Sequence, residues 1–418
     1  MPTKYWLGTA DAVAQVDTVQ VTADDAATTY MITIGGVDVS VSGTGTGVND
    51  TASALSAALN ASSHPYFAAV TWSAATDTVT GTADTAGVPF VASSSVSGGT
   101  GTIGAVTNST PNAGPNVWGT ATNWSDGSAP GDGDTVIIAD SSVNICWGLA
   151  QDDVELGKLD IRKTYTGKIG LDYTRFATSA NGATYSSTPK REYREDYLTI
   201  DSALVEIGEH VGPGTPAGSG RIKLDLGSYA AAVTVHGTAS ISSETGRYAV
   251  RLLCDNAATT LDVRYAPAGV AVANEIPGET STIGSVRVTD TSATSRVVLG
   301  DGVTITTWEQ WGGTNVLAAA ATVTTVSVYG GDLVVEGDDY TITTLNVYAG
   351  TVRDNHDAAG TAITTANIYG GTLDGAQSTT ARTWATVNHY AGALLRRNSG
   401  ITITTWSPTS AVVSIACS

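Results

Sequence analysis

The last third of the chain repeats itself, and this limits what it can fold into. The phrase Ile305-Thr306-Thr307-Trp308 returns as Val323-Thr324-Thr325-Val326, Ile342-Thr343-Thr344-Leu345 and Ile363-Thr364-Thr365-Ala366. It comes back degraded at Trp384-Ala385-Thr386-Val387 and again as Ile403-Thr404-Thr405-Trp406, at spacings of 18 to 21 residues. A second phrase follows each of the first five: Trp311-Gly312-Gly313, Tyr329-Gly330-Gly331, Tyr348-Ala349-Gly350, Tyr369-Gly370-Gly371 and Tyr390-Ala391-Gly392. Self-similarity at a short fixed period is the signature of a stacked, elongated architecture.

Within the unit, short alternating runs rich in β-branched and aromatic residues break at glycine, which predicts strands joined by bends. In Ile342–Val352 the alternation sends Ile342, Leu345, Val347 and Val352 inward, and Asn346 and Tyr348 outward. The same register puts Val326, Val328, Ala366 and Ile368 inside, with Ser327, Tyr329, Asn367 and Tyr369 outside. About 20 residues per unit with three short strands fits one coil of a right-handed parallel β-helix. One coil buries too few aliphatics to offset the ordering of its own backbone, so stacking on neighbours is obligatory.

Composition narrows the function classes. Lys and Arg number 20 against 39 Asp and Glu, for a formal net charge of −19. Without a basic stripe, nucleic acid is a poor partner, and an acidic surface disfavours anionic membranes. Cys146, Cys254 and Cys417 form no CxxC pair and read as buried, reduced residues, and the histidines are too scattered for a metal cluster. No cofactor or metal site is expected. The opening residues lack the apolar core of a secretory signal, and no segment reads as a membrane span, so assembly inside a cell is expected.

Three zones follow. Residues 1–95 read as a small α+β domain, with strands at Val16–Thr22, Thr29–Ile34, Val37–Val41, Phe67–Trp72, Asp77–Thr82 and Val88–Val91. Asn49 or Asp50 would cap its short helix, whose face is Ala52, Leu55, Ala58 and Leu59. Residues 96–115, rich in Gly, Ser and Thr, read as a linker. Residues 116–200 hold the first coils and their cap, Trp118, Asn123 and Trp124, with a projecting loop over 172–196 that carries Arg175, Lys190, Arg191 and Arg194. Residues 201–418 are the repetitive body.

The run Trp118…Asn123-Trp124-Ser125…Pro130-Gly131-Asp132-Gly133-Asp134-Thr135-Val136-Ile137 resembles the motif preceding β-helices in phage tail and fibre proteins and in bacterial passenger domains. The start, Lys4-Tyr5-Trp6-Leu7-Gly8, with the later Tyr30-Met31-Ile32-Thr33-Ile34-Gly35-Gly36-Val37 hairpin and Ala83-Asp84-Thr85-Ala86-Gly87-Val88-Pro89-Phe90, resembles phage and prophage structural proteins. The resemblance implies a virion location and a structural, non-enzymatic role as capsid decoration or tail fibre. It also implies docking of the N-terminal domain to other virion proteins and a homotrimer. It transfers no catalytic residue.

Two features compete as sites. The row Trp311, Tyr329, Tyr348, Tyr369, Tyr390 would place rings about 4.8 Å apart. It could shield a corner, pack against another subunit, or contact a host glycan. The Asn346, Asn367, Asn388 row reads as an amide ladder. The stretch Arg353-Asp354-Asn355-His356-Asp357 invites comparison with the paired carboxylates of a tailspike depolymerase. Asp338, Asp339, Asp354 and Asp374 read instead as turn residues between coils. Asp132 and Asp134 are too few ligands for calcium. A bacterial surface adhesin is the third reading.

Overall fold

A computed structural model describes residues 2–171, 197–209, 221–238, 248–274, 278–337, 340–356, 360–377, 380–390, 392–409 and 415–416. The expected projecting loop at 172–196, Asp338, Asp339, Asp357 and Cys417 lie outside the described residues. The chain is mostly β, dominated by two long parallel sheets of 13 and 12 strands. From Thr135–Ile138 onward, successive strands go alternately to one sheet and the other, each return landing beside the previous strand. Neighbours in both sheets are therefore separated by one repeat, and every pairing is parallel.

The 13-stranded sheet bends. In Val303–Gln310 the inward residues are Val303, Ile305, Trp308 and Gln310, with Thr306 and Thr307 both turned away between them. Two consecutive outward residues shift the alternation by one, which is what a corner requires of a period-two strand. The Thr-Thr of the repeats marks this corner inside one strand, and where the repeat degrades Ala385-Thr386 takes the same two positions. Register carries the pattern along the sheet: Val286, Trp308, Val326, Leu345, Ala366, Val387 and Trp406 form one column. One continuous core runs between the sheets from Trp6 to Ile401.

The outward rows repeat as well. Asn346 Nδ2 donates to Ser327 Oγ at 3.3 Å, Asn367 to Asn346 Oδ1 at 2.9 Å, and Asn388 to Asn367 Oδ1 at 2.8 Å. Asn346 and Asn367 thus each spend a donor on the repeat before and accept from the repeat after. Ser327, expected outside, is 6% exposed, with the Asn346 amide on its hydroxyl.

The α+β module has its own core around Tyr30, Ile32, Leu55, Phe67 and Trp72. Its helix, Val48–Ala61, buries Ala52, Leu55 and Leu59 with Thr51 and Ser56. The helix starts earlier than Asn49 or Asp50 would have it, from Gly47, whose φ of 144° suits glycine alone. The cap comes from far away in sequence: the Asp24 carboxylate accepts from the Gly47 N–H at 2.9 Å and the Thr51 hydroxyl at 2.7 Å. These bonds, that of Thr51 foremost, hold the Asp24 carboxyl below its ordinary value.

Three expectations are corrected. Val88–Val91 is not a strand: Pro89 offers no donor, and the Phe90 N–H is taken by the Gln15 side chain. Residues 96–115 are not a free linker. Ala92–Ser97 pairs with Thr29–Ile34, and both Thr102–Ile103 and Thr107–Thr110 pair with Val16–Ala23, all antiparallel. Polar Ser and Thr suit such strands, because only one of their faces is covered. Finally, Thr3–Tyr5 belongs to the long sheet, pairing parallel with Thr135–Ile138. The chain begins on the two-sheet stack, leaves to build the α+β module, and returns. A Val13–Ala113 bridge closes the outgoing and returning segments on each other.

Candidate functional site

The aromatic row forms immediately after five consecutive strands of the 13-stranded sheet, those ending at Gln310, Val328, Val347, Ile368 and His389. Ring centroids lie 4.7 Å apart for Trp311–Tyr329, 4.7 Å for Tyr329–Tyr348, 4.9 Å for Tyr348–Tyr369 and 4.7 Å for Tyr369–Tyr390. The planes are within 14°, 1°, 10° and 24° of parallel in the same order. The spacing is that of neighbouring strands. The glycines that follow fix the direction in which the chain leaves. Gly350, at φ 78°, lies against the backbone of Gly330 and Gly331 in the preceding repeat, where a Cβ would collide. Arg287 closes the start of the row, its guanidinium 4.8 Å from the Trp311 ring.

This geometry decides what the row presents. Each interior ring spends both faces on its neighbours, so a sugar cannot stack on a face along the row. Solvent meets ring edges and phenol hydroxyls, with Tyr329, Tyr348 and Tyr369 37, 41 and 40% exposed. Burial by the flanking rings, then the proximity of Tyr390 and Tyr348, pushes the Tyr369 hydroxyl above its ordinary value. The row is a stiff, neutral ridge of hydroxyl-tipped edges.

Trp118, Asn123 and Trp124 come together at the start of the core and are 0, 0 and 1% exposed. Trp124 packs edge-on against Trp118 at 4.8 Å and against Trp6 at 5.1 Å, and its indole N–H donates to the Trp118 carbonyl at 2.7 Å. Asn123 Nδ2 donates to the carbonyls of Gly114 and Val117, while its Oδ1 accepts from the Ala10 N–H. One side chain thereby joins the outgoing and returning segments. Asn123→Ala should cost about 1–3 kcal/mol, because three buried backbone groups lose their partner; the shift of the urea midpoint measures it. Trp6 is the third ring, and sequence reasoning left it in the α+β domain.

The Pro130–Asp134 loop is built by hydrogen bonds. Asp134 accepts from the Gly131 N–H at 3.0 Å and faces the buried Lys4 ammonium at 3.6 Å, while Asp132 accepts from the Glu155 N–H at 3.0 Å. Lys4 also pairs with Asp126 at 2.8 Å, so Asp126 and Asp134 together hold the first strand.

Asp354 is not a turn residue. It ends the strand Thr351–Asp354 in the inward phase of Val352, and is 0% exposed. Its Oδ1 meets His356 Nδ1 at 2.5 Å and Arg382 Nη1 at 3.1 Å, and its Oδ2 accepts from Trp384 Nε1 at 2.6 Å. The Tyr340 ring lies 4.4 Å from that of His356. Burial alone would raise the Asp354 carboxyl; the His356 hydrogen bond and the His356 and Arg382 charges outweigh it and hold it below its ordinary value. Every Asp354 oxygen is occupied inside the core, so this carboxylate is not available for glycosidic cleavage. Sequence reasoning missed the cluster, although Arg382 lies in the inward phase of its strand, two residues before Trp384. Asp374 also lies on a strand, facing outward, where Arg396 pairs with it at 3.3 Å.

Cys254 is buried, and burial foremost pushes its thiol up to about 12; Cys146 is half-buried. Among the described residues no group of His, Cys, Asp and Glu could hold a metal ion, and no helix is long and apolar enough to cross a membrane. No protein-family model, no curated protein and no solved structure matches the chain.

Proposed function

We propose that this chain is a non-enzymatic structural protein of a bacteriophage particle, anchored by its α+β module and projecting as a capsid decoration or fibre. Its two parallel sheets are read as faces of a right-handed parallel β-helix, the hand that crossover connections between parallel strands adopt. The observation that carries a structural role is the aromatic ridge. Five rings in register over five repeats make a long, stiff, uncharged line on an otherwise acidic molecule. Such a line suits lateral packing against another protein surface better than it suits a sugar, whose binding needs open ring faces. The virion location rests on the sequence resemblance around Trp118–Ile137 and the N-terminal run. Mass spectrometry of purified particles tests it; absence of the protein from mature virions refutes it.

The same reading makes the protein a homotrimer, with Tyr329, Tyr348, Tyr369 and Tyr390 at the seam between subunits. Tyr369→Ala is then expected to weaken trimers by about 1–3 kcal/mol. Sedimentation equilibrium checks this: a lower melting temperature with unchanged stoichiometry would reduce the ridge to a corner shield.

A further inference from the structure

The α+β module holds a cavity of about 510 Å³ that neither the aromatic ridge nor the tryptophan cap accounts for. It lies between the tip of the hairpin formed by Thr29–Ile34 and Val37–Ser42, the short helix Pro65–Ala68 and the segment Val88–Val91. Its origin is in the strand pairing. Ala92–Ser97 follows Thr29–Ile34 only as far as Ile34 opposite Ala92. Just before that point Gln15 takes both main-chain groups of Phe90. Its Nε2 donates to the carbonyl at 2.7 Å, and its Oε1 accepts from the N–H at 3.2 Å. The segment is thereby held away from the hairpin tip, and the space between them stays open. Gly35, at φ 58°, lets the tip lie against the Tyr66 ring, with which a Cβ would collide.

The wall and its surroundings select an occupant. Ile34, Tyr66, Val70 and Phe90 give the cavity an apolar lining, and no charged residue lines it. Val91, also in the lining, is 64% exposed, more than any other large apolar residue described. Around this neutral pocket the charge has one sign. Lys4 and Lys158 bracket a stretch with no Lys or Arg, and every charged side chain in residues 5–115 is an aspartate. Two of these are exposed beside the lining. Asp38 accepts from the hydroxyl of the lining residue Thr33 at 2.6 Å, and Asp84 stands between the lining residues Ala83 and Thr85. A pocket of this size suits one bulky side chain or a small ligand, and the surrounding field favours a positively charged one.

We propose that this cavity is the docking site for a basic segment of another protein, which puts an apolar side chain into the pocket and sets Lys or Arg against Asp38 and Asp84. An apolar anchor in a pocket supplies most of the affinity of such contacts. The charges on the rim speed the encounter and reject acidic competitors. Two modules of this chain would set aspartate against aspartate, so the partner is a different protein. This gives the anchoring module of the proposed function its partner chemistry, and rests on that reading only for the partner's place in the particle.

Isothermal titration of the full chain with the synthetic peptides Lys-Leu-Lys-Leu-Lys, Lys-Ser-Lys-Ser-Lys and Glu-Leu-Glu-Leu-Glu tests this. The first is expected to bind saturably at a single site, and the other two at least about tenfold more weakly. Added salt should weaken the first. Thr85→Trp, which fills the pocket from an exposed position, should weaken it at least about tenfold, as should the double variant Asp38→Asn/Asp84→Asn. Asp50→Asn, at an exposed aspartate past the far end of the hairpin, should leave it unchanged. No saturable binding of Lys-Leu-Lys-Leu-Lys overturns the proposal. So does equal weakening by Asp50→Asn, which would reduce the binding to general attraction by an acidic surface. The titration needs no particle: a chain absent from virions that still binds loses only its location, and one present in virions that does not bind loses only this pocket.

Discussion

Replacing Arg382 by leucine is expected to lower stability by about 3–5 kcal/mol, because it leaves the Asp354 carboxylate buried with its principal cation gone. Arg382 and Asp354 are both 0% exposed at the side chain and 3.1 Å apart, and Arg382 also donates to the carbonyls of Asp354 and His356. Neighbouring repeats hold each other in place, so the loss should spread over the last repeats rather than stay local. The urea midpoint measures it. The double variant Asp354→Leu/Arg382→Leu should recover much of the loss, since replacing a buried ion pair by apolar residues costs far less than breaking it. A double variant as unstable as Arg382→Leu would show that the pair's packing, not its charge, is what matters.

The cluster also sets a pH dependence. The folded-state value of Asp354 lies below the ordinary 3.8. The unfolded chain therefore takes up this proton first as pH falls. The contribution is fully present above the unfolded value and is lost as pH drops through the lower folded one. Wild type should lose stability progressively below about pH 4, and Asp354→Asn should show a shallower acid slope along with its lower stability at neutral pH. Denaturant midpoints across that range, for the two proteins in parallel, check the sign.

Trp124→Ala should cost a comparable amount, about 3–5 kcal/mol, as a large ring is removed from a closed core. The ring is 1% exposed and contacts Trp6 and Trp118. A local consequence should follow, because Trp6 lies next to the strand Thr3–Tyr5, which pairs over only three positions. With its neighbour ring gone, that strand should detach, exposing the segment before Val16 to protease much faster than in wild type. Limited proteolysis followed by intact-mass measurement reads this directly. If Trp124→Ala is destabilised but the N-terminal segment stays protected, Lys4 and its partners Asp126 and Asp134 hold the strand without help from the rings.

Much of the repetitive body was legible. The Ile-Thr-Thr and Tyr-x-Gly phrases placed the strands, the inward column and the aromatic row, because a period-two pattern at a fixed spacing leaves one register that buries every apolar residue. Less of the remainder was legible. Residues 96–115 read as a linker because Ser, Thr and Gly carry little strand signal; pairing with Val16–Ala23 and Thr29–Ile34 decided otherwise. Asp354 read as a turn residue because its partner Arg382 lies 28 residues away.

The division has a physical cause. Sequence by itself determined what repeats: which residues face inward, and where the glycine bends fall. These follow from local alternation and from stacking identical units, which needs no knowledge of the rest of the chain. Only the tertiary structure decided what depends on single long-range contacts. Among these are Asp24 capping a helix from the far side of a hairpin, Asn123 joining the segments on either side of the α+β module, and a buried carboxylate neutralised from the next repeat. Trp406 is of the same kind: register places it in the core column, yet it is 44% exposed, with no strand paired beyond Ile401–Pro408 among the described residues.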